Sequence, residues 1–387
     1  MVLLVLGTVW AFRSKKTLEA HLAAIRAKGE PADLEELDRW DWNVPDDLNA
    51  AFLLQKAHDA FRGPRNLDAP VPLLTRDARW PDSGEPLPAN VRAAIDEVLI
   101  DNRECIALID QAHEFEECRF FGVTDAADAN FNDECEWLSR LGQLVSLQAL
   151  ALADAGDIDG ACAALARGIF LSESLRNEPN YNRQFTRAYI LEDINRAAGF
   201  VFSVERPDEL PLKRLQDQLI ACDDPDIVYR SLIGSRCDFV TSQAKSFVGF
   251  GLDDSLREYA TLIDASLKPT TERVKLFNAN VKQLYFYVFP VQMPHDRHAA
   301  NVALAISAIA IERYRLAEGK LPEDLDDLVP GYLDALPTGL GRPLKYERKS
   351  SGYEIRAIRY DLQMPEDGSI YPIYGEDEQD FEFVVTR

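Results

Sequence analysis

The chain has 387 residues, of which 47% are hydrophobic and 28% are charged, and its formal net charge is −23. The apolar fraction is sufficient for a packed core and excludes a low-complexity, collagenous or wholly disordered chain. A strongly acidic chain also lacks the lysines and arginines that bind phosphates, so nucleic acid is excluded as a partner. The six cysteines have no CxxC spacing, which excludes zinc-ribbon and thioredoxin-type sites.

The chain begins with an apolar run, MVLLVLGTVWAF, that is followed by Arg13, Lys15 and Lys16. About 20 apolar residues are needed to cross a bilayer as a helix, so this run is too short by itself. We expect residues 1–13 to be a truncated membrane anchor, with an interfacial anchor or a short core helix as alternatives. The body would then face the periplasm or the cell exterior, although the basic residues also allow a cytoplasmic orientation.

From residue 14 to residue 290 the pattern predicts a helical body. Helices are expected over 14–29, shortly after Pro31 and after Pro45, and over 89–121, 136–155, 158–177, 184–205, 208–222, 225–248 and 271–289, with a proline-rich connector over 63–88. The pair at 136–177 carries an apolar stripe on each helix and resembles a tetratricopeptide hairpin, although no fixed period recurs. We therefore predict a mainly α fold, built as an array of antiparallel helical hairpins.

Residues 291–387 form a separate module in this prediction, with a mixed α+β character. A long helix over 295–318 ends at Gly319, and a short helix, a β-hairpin around residues 350–352 and a last strand, FEFVVTR, follow. A two-stranded hairpin is only marginally stable alone. We therefore expect the 295–318 helix to pack on the body with one face and beneath the hairpin with the other.

The sequence shows two resemblances to known bacterial proteins, one in its carboxy-terminal part and one over nearly the whole chain. The stretch IERYRLAEGKLPEDLDDLVPGYLDALPTGLGRPLKYERKSSGYEIRAI resembles the carboxy-terminal module of the major pseudopilins of type II secretion. More than 290 residues precede this helix, and the pseudopilin processing site and calcium loop have no counterpart, so we do not expect filament assembly. The segments AAIRAKGEPADLEELDRWDWNVPDDLNAA and AGDIDGACAALARGIFLSESLRNEP are similar to a group of uncharacterised bacterial proteins with a membrane anchor and a helical body. That resemblance implies an envelope location and no particular activity.

Searching the sequence for catalytic chemistry gives one weak metal candidate. His295 and His298 are three residues apart at a predicted helix start, where two imidazoles can share one face. No third ligand has an obvious spacing, so a polar first helical turn is the simpler interpretation. No GxxxxGK, GxSxG or HExxH motif is present. The sequence predicts no cofactor and no catalytic residue.

A second candidate lies in an acidic stretch from Asp110 to Glu136 that contains nine acids and one base, Arg119. Its possible ligands are His113, Glu116, Glu117, Cys118, Glu134 and Cys135. A solvated acidic loop beside a buried thiol is the simpler interpretation. A Cys118–Cys135 disulfide is an alternative if the body lies outside the cytoplasm.

Two sets of aromatic residues could either pack in the core or bind a ligand. Trp40 and Trp42 are expected to hold the amino-terminal segment against the body, with a binding lip as the alternative. The aromatic segment VKQLYFYVFP is expected to be central core, with a ligand pocket as the alternative. Taken together, these features predict a non-enzymatic, envelope-anchored protein that binds or scaffolds another protein. The alternative is a metal-dependent hydrolase that uses the His295/His298 region.

Overall fold

The computed structural model is mainly helical, with a small carboxy-terminal sheet. It describes residues 16–40, 44–75, 78–82, 84–120, 129–222, 226–245, 252–268, 270–339, 342–358 and 381–387. Within these ranges the side chains of residues 129–134, 244–245, 252–253, 270–271, 274–275 and 277–292 are not described. The predicted anchor, Trp42 and the side chains of the aromatic segment therefore lie outside the description. Among the described residues, no helix has both the length and the hydropathy needed to span a bilayer.

Five helices lie between residues 16 and 112. They are α1 (16–27), α2 (Leu34–Asp38), α3 (Ala51–Ala60), α4 (Ala89–Asp101) and α5 (Arg103–Ala112). The predicted single helix over 89–121 is wrong, because Asn102 is fully buried and separates α4 from α5. Its side-chain amide donates to the carbonyls of Val98 and Arg62 and accepts from the Arg62 backbone N–H. These bonds attach the 60–62 segment to the junction of α4 and α5.

The centre of the body consists of α6 (Ala129–Asp154), α7 (Ile158–Glu173), α8 (Tyr181–Val204) and α9 (Glu209–Ile220). Gly156, in the left-handed region at φ 79°, ends α6. The Asp157 side chain then accepts from the Gly160 N–H and caps α7. These two residues make a short turn between α6 and α7, and α6, α7 and α8 pack on one another.

Three helices complete the α-helical part: α10 (Ile227–Lys245), α11 (Leu252–Ser266) and α12 (Thr270–Glu318). The predicted break between 271–289 and 295–318 is wrong, because α12 runs for 49 residues through Pro290 and Pro294. Each proline removes one backbone hydrogen bond, but packing on α8, α9, α10 and α11 outweighs this local preference. The predicted boundary at residues 290/291 therefore falls inside a helix. α11 is absent from the predicted helices, although its buried Leu256, Tyr259 and Ile263 have helical spacing.

The carboxy-terminal sheet has three antiparallel strands: β3 (Lys345–Lys349), β4 (Gly352–Ala357) and β5 (Phe381–Thr386), in the order β3-β4-β5. A two-residue pair, β1 (Thr338–Gly339) and β2 (Arg342–Pro343), precedes it. The predicted hairpin and the predicted third strand are confirmed. β5 lies so close to α8 that a Cβ on Gly199 would be 2.8 Å from the carbonyl oxygen of Val384.

The buried side chains divide into two clusters. Core one joins α3 to α9, the 300–311 part of α12 and the carboxy-terminal sheet. Core two is smaller and joins α2, α10 and α11, with Leu276 of α12 packed against it. The long helix α12 therefore passes from core two into core one, and Pro294, His295 and His298 lie on that passage.

The terminal module packs into core one as an integral part of the body. Leu328, Tyr353 and Ile355 are each 0% exposed, and they belong to the same cluster as Leu304 and Ile309 of α12. The prediction that one helix serves both the body and the hairpin is confirmed for the packing. The predicted role of Trp40 is also confirmed: its indole Nε1 donates to the Gly29 carbonyl at 3.1 Å, and its ring packs near Tyr229.

Candidate functional site

A layer of buried polar side chains lies where α7, α8, α10 and α12 meet. We call Glu173, Arg187, Ser231, His295 and His298 the polar layer. Glu173 is the last residue of α7, and Arg187 lies two turns into α8. The Arg187 guanidinium donates to both carboxylate oxygens of Glu173, at 2.8–3.1 Å, and is only 2% exposed. This bidentate pair fixes the charged carboxylate in place.

Glu173 is held in its ionised form by its neighbours. Burial raises the pKa of its carboxyl, but the Arg187 charge and the bond from His298 outweigh burial and lower the pKa to about 2. His298 Nε2 lies 3.0 Å from Glu173 Oε1, and because an ionised carboxylate only accepts, this imidazole nitrogen carries the hydrogen. Glu173 is thus a fixed anion within the body.

The second histidine has a different partner. His295 Nε2 lies 3.1 Å from Ser231 Oγ on α10. Burial, followed by the charges of Arg187, of His298 when it is protonated, and of Arg273 and Arg230, lowers the pKa of His295 well below its usual value. Burial and the charge of Arg187 also lower the pKa of His298, against the opposing effect of Glu173. Both imidazoles are therefore neutral at pH 7.

The predicted metal candidates do not converge on a common point. His295 and His298 lie in one layer, but each ring bonds to a different helix. His113 is exposed and packs near Phe170, and the side chain of Glu134 lies outside the described part. Within the described residues, no group of three or more His, Cys, Asp or Glu side chains is placed to hold a metal ion.

None of the six cysteines, all of which are described, forms a disulfide, so the alternative Cys118–Cys135 pairing is wrong in this structure. Burial raises the pKa of the Cys105, Cys162 and Cys237 thiols to about 12. It also raises the pKa of the Cys118 and Cys222 thiols. A thiol acts as a nucleophile through its thiolate, and these environments disfavour that form.

A cavity of about 420 Å³ borders the polar layer. We call it the acidic cavity; it is lined by Glu116, Glu117, Cys118, Phe170, Glu173, Ser174, Arg176 and Asn177. Glu116 and Glu117 are exposed, whereas Arg176 donates to the carbonyl of Ala221 at 2.7 Å. The acidic cavity therefore has one fixed carboxylate, Glu173, and two solvent-exposed carboxylates, Glu116 and Glu117, in its lining.

A second buried ion pair holds the rim in place. Arg183 of α8 pairs with Glu178, and the other oxygen of Glu178 accepts from the backbone N–H of Phe120 at 3.2 Å. The segment 117–120 is further tied to α3, because the Asn49 side chain bonds the backbone of Arg119 in both directions. The acidic stretch that the sequence indicated is thus partly fixed against the end of α7.

The central residues of this site, Glu173 and Arg187, were not predicted. The signal was present in a weak form: Glu173 follows the apolar run Ile169–Leu171 on a buried helix, and Arg183 and Arg187 have i, i+4 spacing. Charges inside an apolar pattern indicate buried pairs, but their partners are set by the packing. Comparisons of the chain with protein-family models, curated proteins and solved structures find no match.

Proposed function

We propose that this chain is a non-enzymatic protein-interaction protein that receives a lysine or arginine side chain of a protein partner in the acidic cavity. The observation that carries the proposal is the cavity itself, in which the fixed carboxylate of Glu173 lies behind the exposed carboxylates of Glu116 and Glu117. Its volume of about 420 Å³ is large enough for a long basic side chain.

The overall charge of the chain supports the same kind of partner. A net charge of −23 attracts basic surfaces over distance, and the cavity lining is itself acidic in balance, with three carboxylates and one guanidinium, Arg176. Carboxylates at a rim mainly increase the association rate and select the partner by its charge. A basic segment of another protein fits both the volume and the charge of this site.

The chemistry around the cavity supports binding over catalysis. A catalytic site needs a nucleophile or a base whose reactive atom can reach the substrate. Here the Cys118 thiol has a raised pKa, and the Nε2 of His298 is engaged by Glu173. Glu173 in turn is held by Arg187. These groups satisfy one another, as in a structural ion-pair network.

We further propose that the body acts as an array of helical hairpins. In its support, α6 and α7 are joined by only three residues and pack against each other, and α8 packs on both. Stacked hairpins of this kind present extended surfaces to protein ligands. The acidic cavity lies at the carboxyl end of α7, where a partner lying along the array would reach it.

Attachment through residues 1–13 would hold this surface at the cell envelope, facing the periplasm or the exterior. This is a separate proposal, supported by the apolar run and the basic residues that follow it. Its failure would leave the interaction proposal untouched.

Site-specific photo-crosslinking in cells tests the interaction proposal. A photoreactive amino acid at Asn177 should form a discrete crosslinked species with one protein, whose crosslinked peptide contains lysine or arginine. The double variant Glu116→Lys/Glu117→Lys should abolish that species. The matched control Glu104→Lys/Glu114→Lys changes the charge equally at exposed positions outside the cavity lining and should retain it. A crosslinked species that is unaffected by the cavity variant would refute the proposal.

A further inference from the structure

The polar layer lies between the two cores. Ser231 lies on α10, whose Leu232 and Ile233 belong to core two, whereas Glu173 lies on α7 of core one. α12 connects them: His298 bonds to Glu173, and His295, one turn earlier, bonds to Ser231. α10 also approaches the 179–181 segment so closely that a Cβ on Gly234 would clash with the carbonyl of Pro179.

The two histidines differ in what protonation would do. A protonated His298 would still face the Glu173 carboxylate, although Arg187 and Arg176 oppose its charge. Among the described groups, the hydrogen-bond partner of His295 is a neutral hydroxyl, and the cations around it are Arg187 on α8, Arg230 on α10 and Arg273 on α12. A charge on His295 would thus be a further cation in a buried, already cationic environment.

Two described acids near this layer, Glu173 and Asp296, already have cationic or hydrogen-bonding partners. Glu173 is already engaged by Arg187 and His298, and the Asp296 carboxylate interacts with Arg273. Arg273 is half-buried, and its Nε has no hydrogen-bond partner among the described groups. A protonated His295 would be stabilised if water reached the polar layer. We expect core two, the smaller of the two cores, to move away from the layer and admit that water.

We propose that the polar layer is an acid-sensitive joint: protonation of His295 loosens core two, α10 and α11, from core one. The device is independent of the proposed partner, because it depends on the contact between the two cores alone. Its sign follows from linkage. The unfolded chain binds a proton on this histidine near pH 6.5 and the folded layer does not, so the joint is tight above pH 6.5 and weakens as pH falls below it.

Hydrogen exchange of the full chain, followed by mass spectrometry, tests the joint. Exchange would be compared at pH 7.5, 6.5 and 5.5 after correction for the intrinsic rate. Protection of peptides from α10 and α11 should fall about fivefold between pH 6.5 and 5.5, because opening is linked to uptake of one proton by a histidine whose pKa in the open state is near 6.5. Peptides from α6 and α7 in core one should keep their protection.

His295→Gln removes the titrating group and retains a side chain that can bond to Ser231. In this variant the protection of α10 and α11 peptides against hydrogen exchange should no longer depend on pH. His113→Gln, at an exposed histidine, is the control and should behave as the parent does. Equal changes in both cores of the parent, or unchanged pH dependence in a folded His295→Gln protein, would overturn the proposal. If that variant does not fold, NMR of the parent still decides: a His295 imidazole that titrates near pH 6.5 without any change in core-two exchange would refute the joint.

Discussion

The terminal module and core two are attached to the rest of the body by different kinds of contact. The module is attached through apolar side chains within core one, and core two through the polar layer. The module joint is apolar: Leu328, Tyr353 and Ile355 are fully buried in core one. The joint with core two contains an anion, a buried cation and two neutral imidazoles. Apolar burial does not depend on pH, whereas a buried histidine whose partner is a neutral hydroxyl is favourable only while its imidazole stays neutral. With the proposed joint, attachment of core two would depend on pH, whereas attachment of the terminal module would not.

The largest expected effect comes from placing a charge in the apolar joint. Leu328→Asp should destabilise the whole chain by about 4 kcal/mol or more, because it removes a fully buried side chain and buries a carboxyl. Thermal unfolding followed by helical circular dichroism should show one cooperative transition at a lower temperature.

The control for this variant is Leu316→Asp on α12, where the side chain is 36% exposed. Its cost should stay below about 1 kcal/mol. Independent units would be indicated if the Leu328→Asp helices melted as in the parent while only the terminus became protease-sensitive.

Removing the negative charge of Glu173 from the polar layer should have the next largest effect on the free energy of unfolding. Glu173→Gln leaves the buried charge of Arg187 without its counter-ion and should cost about 3 kcal/mol in urea unfolding. Glu136→Gln is the matched control, since Glu136 pairs with Arg140 on an exposed helix face and should cost less than about 1 kcal/mol. Equal losses in the two variants would mean that burial of the Glu173 pair adds nothing.

The stability loss caused by Glu173→Gln should itself depend on pH. The Glu173 carboxyl has a pKa of about 2 in the folded chain and 4.5 when unperturbed. Its stabilising contribution is therefore complete above pH 4.5 and is lost as pH falls toward 2. The difference in unfolding free energy between parent and Glu173→Gln should be constant from pH 7 to 5 and smaller at pH 3. A difference that persists unchanged at pH 3 would contradict this assignment.

The smallest effect on stability is expected from the amino terminus. A chain without residues 1–15 should unfold within about 0.5 kcal/mol of the parent, because both joints are intact. It should nevertheless move from the membrane fraction to the soluble fraction of cells. Equal distribution of the two forms would refute the anchor, and a large loss of stability would show that the segment packs on the body.

Much of the fold could be predicted because its signals are local. Gly156 and Asp157 mark the turn between α6 and α7, and the residues around Gly352 mark the hairpin, through their own backbone preferences. The single helix through Pro290 and Pro294, the break at Asn102 and the helix α11 were missed. Packing overrides local propensity at the two prolines, and a side-chain bond does so at Asn102. The helix α11 differs, because its apolar residues have a regular helical spacing that is visible in the sequence.

By itself, the sequence determined the helical class, the strands of the terminal sheet and the need of the 295–318 helix to cover apolar surface on two sides. These follow from periodicity and from turn residues, which act over a few positions. Only the tertiary structure decided which charges are buried together. Glu173 meets Arg187 across 14 residues and His298 across 125 residues, and Ser231 meets His295 across 64. The pattern of each helix marks its buried face, but the partner of a buried charge is set by how the helices pack, and that packing gives His295 a neutral partner and His298 an anion.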